Sequence, residues 1–445
     1  MKNTIVVIIE IVQLKVDSPM LISAKVNNCL IYDSEVEFSM RANMHYKHFL
    51  NNIYQSKKNC VLKSAVIIGP NNAGKTNFVK VMSMIKNIIL NQNAQIQKNL
   101  FSSSSEVSLE VSFLDEKQEY VFTLRYDTSK REYTYERFAR VFHDVHNNVR
   151  EELLVLRDIA NDRYECMDED LIPVMRVASK SNILIHLIDS SSFKTFALAR
   201  SVLLSFGSKL DIVDMNNIPV KKTIDMLKVN DAASKKIVNF ILNADLSMED
   251  YRYLNDDEIK LSIEKVGDQK PQEDVFESSS LLVEMLHLAS VYKGITVPSL
   301  LYDSTGTKKM VALASYVIDA LENGRILIVD ELDNSLHFKL TRAIIALFNN
   351  ELNENAQLIA TVHDVSLIDC RSLFRKDQIW FAHKDADNAY LYPLSEFTAE
   401  RDGIRSNSDL IENYKKGVFG AIPEPDLYKS LMEVKEDVQG STYQS

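Results

Sequence analysis

The sequence predicts an α/β fold: a core built from two halves, an antiparallel β meander lobe attached to the first half, and a mostly helical insertion between them. Three observations carry this reading. A glycine-rich pattern over 69–76 lies between a short apolar run and a helix-like pattern. Aromatic-rich, alternating segments follow at 107–114, 120–127 and 132–138, with Asp115-Glu116-Lys117 between the first two, as in a meander. Far downstream, the apolar run 325–331 reads as a buried strand that ends in two acids.

Taken in order, the run Ile5-Val6-Val7-Ile8-Ile9 reads as a strand. It is too short for a membrane span, and Glu10 interrupts it as a signal-peptide core. Residues 20–40 read as two strands with a turn near Asn27-Asn28. The helix after the glycine-rich loop runs to about Leu90, and Ser102 to Ser105 mark a turn. From 148 to 266 the texture becomes mixed and mainly helical, with Ile224, Leu227, Ile237, Phe240 and Ile241 at mostly helical spacing. Residues 267–274 have linker composition. No internal repeat and no heptad run long enough for a coiled-coil arm is present.

At 445 residues and 46% hydrophobic content the chain can bury a large core and form two or three domains. A net charge of -11 argues against a sequence-independent DNA coat, which would carry a basic footprint. The four cysteines, Cys29, Cys60, Cys166 and Cys370, lie far apart and form no C-x-x-C pair, so neither a disulfide framework nor a zinc site is indicated. A reduced, cytoplasmic setting without a membrane partner is expected.

The loop Gly69-Pro70-Asn71-Asn72-Ala73-Gly74-Lys75-Thr76, followed by Asn77, fits G-x-x-x-x-G-K-[ST]. In a strand–loop–helix setting, backbone N–H groups of such a loop wrap phosphate oxygens, the lysine reaches the β/γ-phosphates and the hydroxyl holds Mg²⁺. At the end of 325–331, Asp330 is assigned to hold Mg²⁺ through water, and Glu331 to orient and deprotonate an attacking water. Upstream, Asp303-Ser304-Thr305-Gly306-Thr307-Lys308-Lys309 opens a helix that Gly324 stops. Its free N–H groups make an anion site, against the plain alternative of an N-cap by Ser304 or Thr305. The strand 357–362 delivers His363, read either as a γ-phosphate contact or as a hydrogen-bonded core histidine. Trp380 reads as a strand core aromatic. The pairs His45/His48 and His143/His146 read as chance H-x-x-H spacing without a third ligand, and Asp385 with Asp387 as solvated turn acids.

Together the segments MLISAKVNNCLIYDSEVEFSM, GPNNAGKT, DSTGTKKM, ILIVDELDNSLH, LIATVHD, FRKDQIWFAHKD and GVFGAIP resemble the ABC/SMC-type ATPase head, and more closely the AAA-family proteins of the RloA and AbiLi type, linked to restriction and abortive infection. The resemblance spans the chain from Met20 onward. It implies a P-loop head in parts: an extension over 1–19, a first half with Walker A over 20–147, the insertion over 148–266, a second half over 267–395, and a tail over 396–445. Gly69, Asn72, Gly74, Lys75 and Thr76 look like Walker A, Asp330 and Glu331 like the Walker B acid and catalytic base. Ser304, Gly306 and Thr307 look like the signature that meets the γ-phosphate held by a second subunit. Asp333, Asn334 and Ser335 look like the D-loop, and His363 like the switch histidine. The chain departs from the family pattern at Asp303 for Glu, Lys309 for Arg and Phe338 for Pro. No Q-loop glutamine is placed among Gln92, Gln95, Gln97 and Gln118.

What the resemblance implies is an ATP- and Mg²⁺-dependent homo-oligomer with ATP sandwiched between heads. Such a molecule acts as the sensor of an anti-phage defence system, answers a nucleic acid or phage protein, and controls a separately encoded, nuclease-like effector. The rival reading, a DNA-repair ATPase of SMC/RecF-like type, wants coiled-coil arms or a basic face. An OLD-type fused nuclease needs more chain after His363, and a transporter subunit fits poorly with the large insertion.

Overall fold

The computed structural model describes residues 18–55, 59–91, 95–143, 149–229, 231–244, 247–266, 284–368, 370–385, 388–405 and 408–422. Eighteen strands appear in it. They are β1 (Met20–Asn27), β2 (Val36–Ser39), β3 (Ile53–Gln55), β4 (Cys60–Leu62), β5 (Ser64–Ile68), β6 (Glu106–Asp115), β7 (Gln118–Asp127), β8 (Glu132–His143) and β9 (Val149–Asp158). Then come β10 (Arg163–Cys166), β11 (Leu210–Asp214), β12 (Asp250–Tyr253), β13 (Leu288–Tyr292), β14 (Ile295–Pro298), β15 (Ile326–Asp330), β16 (Gln357–Val362), β17 (Ile379–Lys384) and β18 (Ala389–Pro393).

Two large sheets organise the molecule. One is a six-stranded sheet in the order β11-β15-β16-β5-β17-β18, parallel except for the β17–β18 pair. Its central strands read as continuous apolar runs because both faces are covered, and every residue of β5, β15 and β16 is buried. The other is a seven-stranded antiparallel sheet, β10-β9-β8-β7-β6-β1-β2. The helix Lys75–Leu90 is buried along Phe78, Val81, Met82, Ile85 and Ile89, in the core cluster that also holds β1 and β6. A three-stranded sheet, β12-β13-β14, and the helices Lys221–Val229 and Ala232–Asn243 share a smaller core with the helix Thr305–Asn323 through Ile224, Ile237, Tyr251, Leu288 and Val311.

The α/β class and the meander agree with the sequence, and three boundaries differ from it. After Asn27 the chain does not turn directly into the second strand. Asn28 and Leu30 take positive φ, Cys29 bridges Tyr32, and β2 starts only at Val36. The meander does not stop at 147: β8 pairs with β9, and β9 with β10, so the helical texture begins after Cys166. In β9 the buried run is Leu-Val-Leu-Arg at 154–157, next to the helix Lys194–Lys209, and such a run has no alternation to mark it as a strand. Third, β11 lies within the expected insertion yet pairs in parallel with β15. The expected tail is partly core, since Ile404, Leu410, Tyr414 and Phe419 are buried and Phe419 stacks on Phe381 at 4.9 Å. The strand expected at 5–9 and the linker at 267–274 lie outside the described residues. No helix among the described residues is long and apolar enough to cross a membrane.

Candidate functional site

In the six-stranded sheet β16 lies between β15 and β5, so the carboxyl ends of all three open on one edge, where parallel α/β sheets place ligands. From β5 the loop 69–74 turns into the helix Lys75–Leu90, whose N-cap Gly74 (φ 110°) offers no side chain to the first-turn N–H groups. Only glycine suits two positions here. A Cβ on Gly69 would stand 2.3 Å from the Ala382 carbonyl oxygen of β17. One on Gly74 would meet Ile31 at 3.0 Å, on top of its left-handed backbone. Asn72 also takes positive φ, which asparagine tolerates better than most residues. From below, the fully buried Tyr32 donates its hydroxyl to the Gly74 carbonyl at 2.9 Å. Lys75 is buried, and its Nζ donates to the Gly69 and Pro70 carbonyls at 2.6 and 3.0 Å. Burial lowers its pKa, against the pull of the Asp330, Glu331 and Asp333 carboxylates. Asn71, Asn72 and Thr76 are exposed, and Asn77 is half-buried.

The acids are locked by one residue that sequence reasoning passed over. Thr361, fully buried in β16, donates its hydroxyl to Asp330 Oδ1 and accepts the Glu331 N–H at 2.7 Å. Glu331 sits at φ 55°, a left-handed conformation unusual for glutamate and held by this bond. Its carboxylate accepts from Asn216 Nδ2 at 2.9 Å and Asn334 Nδ2 at 3.0 Å, and lies 3.7 Å from His363 Nε2. The Asn216 hydrogen bond, then that of Asn334 and the nearby His363 ring, hold this carboxyl below its ordinary range despite partial burial. Asp333 accepts from the backbone N–H groups of His363 and Asp364 at 2.8 and 2.6 Å, which orients the chain carrying His363. The donor set suits a hard cation. Thr76 and Asp330 both offer oxygen, and Asp330 Oδ2 carries no hydrogen bond among the described residues.

The segment 303–309 forms the entry to the 19-residue helix Thr305–Asn323. Ser304 is its N-cap and accepts from the Thr307 N–H at 3.1 Å, so the plain capping role is present. A Cβ on Gly306 would stand 2.6 Å from the Ser335 carbonyl oxygen, and Lys309 Nζ donates to Ser335 Oγ at 3.3 Å. Ser304, Gly306 and Thr307, with Ser335, His337 and Lys339, line a cavity of about 530 Å³. No hydrogen bond among the described residues links them to the phosphate loop of the same chain. The departures have physical settings too. Asp303 is buried and accepts three hydroxyls, from Ser290, Tyr292 and Ser299. Phe338 is exposed at the start of a helix that His337 caps.

Of the glutamines, Gln118 donates to the Glu119 and Val141 carbonyls at the meander's edge. Gln97 is exposed beside the β1–β2 connection, Gln95 is exposed as well, and Gln92 lies outside the described residues. Trp380 is buried and packs against Phe38 at 4.9 Å, as a strand core aromatic should. Among the described residues no group of three His, Cys, Asp or Glu forms a metal cluster. His146 and Asp387 lie outside them. Asp385 caps its own turn, accepting from the Asn388 N–H at 2.7 Å.

Residues 64–369 match the family described as "AAA domain, putative AbiEii toxin, Type IV TA system". The chain belongs to this family. Membership makes it an AAA-type P-loop ATPase. Solved structures similar to this AAA protein include the SMC head domain from Thermotoga maritima, at 11% identity over 84% of this chain and 98% of that one, with a TM-score of 0.40. Another is the SMC head bound to the C-winged helix domain of ScpA, at 13% identity over 84% and 97%, with a TM-score of 0.41. Both likenesses are too distant to carry an argument about function. No curated protein matches the chain.

Proposed function

We propose that this AAA protein hydrolyses ATP at a site completed by a second copy, and that it serves as the sensor of an anti-phage, abortive-infection system of the RloA/AbiLi type. The observation that carries the hydrolytic reading is the Thr361 lock, which holds Asp330 and Glu331 in fixed, different settings at the edge where the phosphate loop opens. In this reading the N–H groups of the loop from Gly69 to Asn77 hold phosphate oxygens and Lys75 neutralises them. Thr76 and Asp330 hold Mg²⁺, which when bound offsets charge on the phosphates. Glu331 orients a water and takes its proton, and His363, 3.7 Å from that carboxylate, reports the γ-phosphate side. Ser304, Gly306 and Thr307 close over nucleotide held by the other copy, with Asp333, Asn334 and Ser335 between the two sites.

Closing on ATP and opening after hydrolysis gives a two-state element that a trigger, nucleic acid or phage protein, can bias and an effector can read. The family's description, with its toxin and Type IV system, supports a defence role, and the separately encoded effector is taken as nuclease-like. The domain parsing follows the same reading, with the meander extended to Cys166. Among the described residues Cys29, Cys60, Cys166 and Cys370 form no disulfide, which suits the cytoplasm. Glu331→Gln keeps shape and removes the base. Its steady-state ATP turnover is expected to fall by about 100-fold or more, with nucleotide affinity retained. Parental turnover in that variant overturns the assignment. Phage plating on cells carrying the protein and its neighbouring genes tests the defence role, which absence of protection by the parent would refute, while protection by Glu331→Gln equal to the parent's would uncouple defence from hydrolysis.

A further inference from the structure

The insertion reaches the hydrolytic site through one strand. β11 runs parallel to β15 with Asp214 opposite Asp330, and the Met215 N–H donates to the Asp330 carbonyl at 3.1 Å. The chain then turns sharply. Asp214 Oδ1 accepts the Asn216 N–H at 2.8 Å, and the Asp214 carbonyl accepts the Asn217 N–H at 3.0 Å. That turn delivers the Asn216 side chain beside Glu331. Asn216 Nδ2 donates to Glu331 Oε2 at 2.9 Å, while Asn216 Oδ1 accepts from Asn334 Nδ2 at 2.7 Å, which itself reaches Oε2 at 3.0 Å. Two amides from separate segments therefore hold one carboxylate oxygen and leave Oε1 turned toward His363. A carboxylate fixed at one oxygen has its second aimed, and aim of this kind governs proton abstraction.

We infer that Asn216 is a positioning residue for Glu331, so that the rate of hydrolysis depends on how the insertion's loop 215–218 sits against the core. The same loop walls a cavity of about 340 Å³ whose other side includes Thr305, Lys308 and Lys309 of the helix carrying the signature. One short loop thus touches the base and shares a cavity with the helix that carries the signature. This inference rests on Glu331 being the base.

The test uses Asn216→Ala, Asn216→Asp and Glu331→Gln in the full chain, with ATP turnover and binding of a fluorescent ATP analogue as readouts. Asn216 is exposed and outside the core, so these variants should fold. Asn216→Ala is expected to lower kcat about tenfold with KM and nucleotide affinity within about twofold. Asn216→Asp, which keeps the shape but sets a carboxylate against Glu331, is expected to lower kcat further. Parental kcat in Asn216→Ala beside an inactive Glu331→Gln overturns the inference and leaves the base assigned. Equal losses of affinity and kcat in Asn216→Ala also overturn it, since a general structural defect would do that. Parental turnover in Glu331→Gln overturns the base reading and this inference with it.

Discussion

Thr361 shows how much one hydroxyl can carry. It is buried and β-branched, near the carboxyl end of an interior parallel strand, where valine would be the ordinary choice. Its hydroxyl instead satisfies the N–H of Glu331 and donates to the carboxylate of Asp330. Thr361→Val keeps the volume and leaves a backbone donor and part of a buried carboxylate without a partner. That costs about 1–3 kcal/mol, read as a lower denaturant midpoint. It should also release the positive φ of Glu331, so turnover is expected to fall about tenfold or more while Lys75-dependent nucleotide binding persists. A variant with parental stability and turnover would show that the lock is incidental.

At the scale of elements, the helix Thr305–Asn323 and the segment after β15 are fitted to one another through Gly306. The Ser335 carbonyl stands where any larger residue would place its Cβ. Gly306→Ala must therefore push the helix entry away from Ser335, a backbone contact with no flexible end to yield. The helix body should survive, since Gly324 at φ 59° stops it and Met310, Leu313 and Val317 bury it. ATP binding to one copy should survive as well. ATP-driven self-association is expected to be lost, measured by light scattering with and without ATP in the Glu331→Gln background. Undiminished association there would remove the Ser304–Gly306–Thr307 tip from the mating surface.

Across the whole molecule, the antiparallel lobe is tied to the insertion by a buried ion pair. Arg157 on β9 pairs with Glu136 on β8 and donates to the Ser179 and Asn182 carbonyls, while Glu136 also accepts the Leu184 N–H at 2.9 Å. Burial pushes the Glu136 carboxyl up, and Arg157 opposes that. Arg157→Met leaves the carboxylate buried without its cation and the chain around 179–184 without its donors. A loss of about 3–5 kcal/mol is expected in chemical unfolding. Replacing Glu136 by Leu in the same chain should recover much of it, because removing both partners spares the uncompensated charge. A single variant as stable as the parent would refute the tie.

The phosphate loop, its strand and helix, and the pair Asp330–Glu331 were legible in the amino-acid order, because each demands particular residue types at short, rigid spacing. The start of the long helix at Ser304 and its stop at Gly324 were legible for the same local reason. Thr361, Tyr32 and Asn216 were not, since nothing in their neighbours marks them and their partners lie 30, 42 and 115 residues away. Nor was β11, five residues whose periodicity does not separate strand from buried helix. Composition and local pattern determined the phosphate-loop pattern and the acid pair at a strand end, and with them which residues are proposed to approach phosphate. Only the parallel register of β11, β15, β16 and β5 decided what holds the acids still, because a hydrogen bond between distant segments is set by strand alignment and leaves no trace in local order.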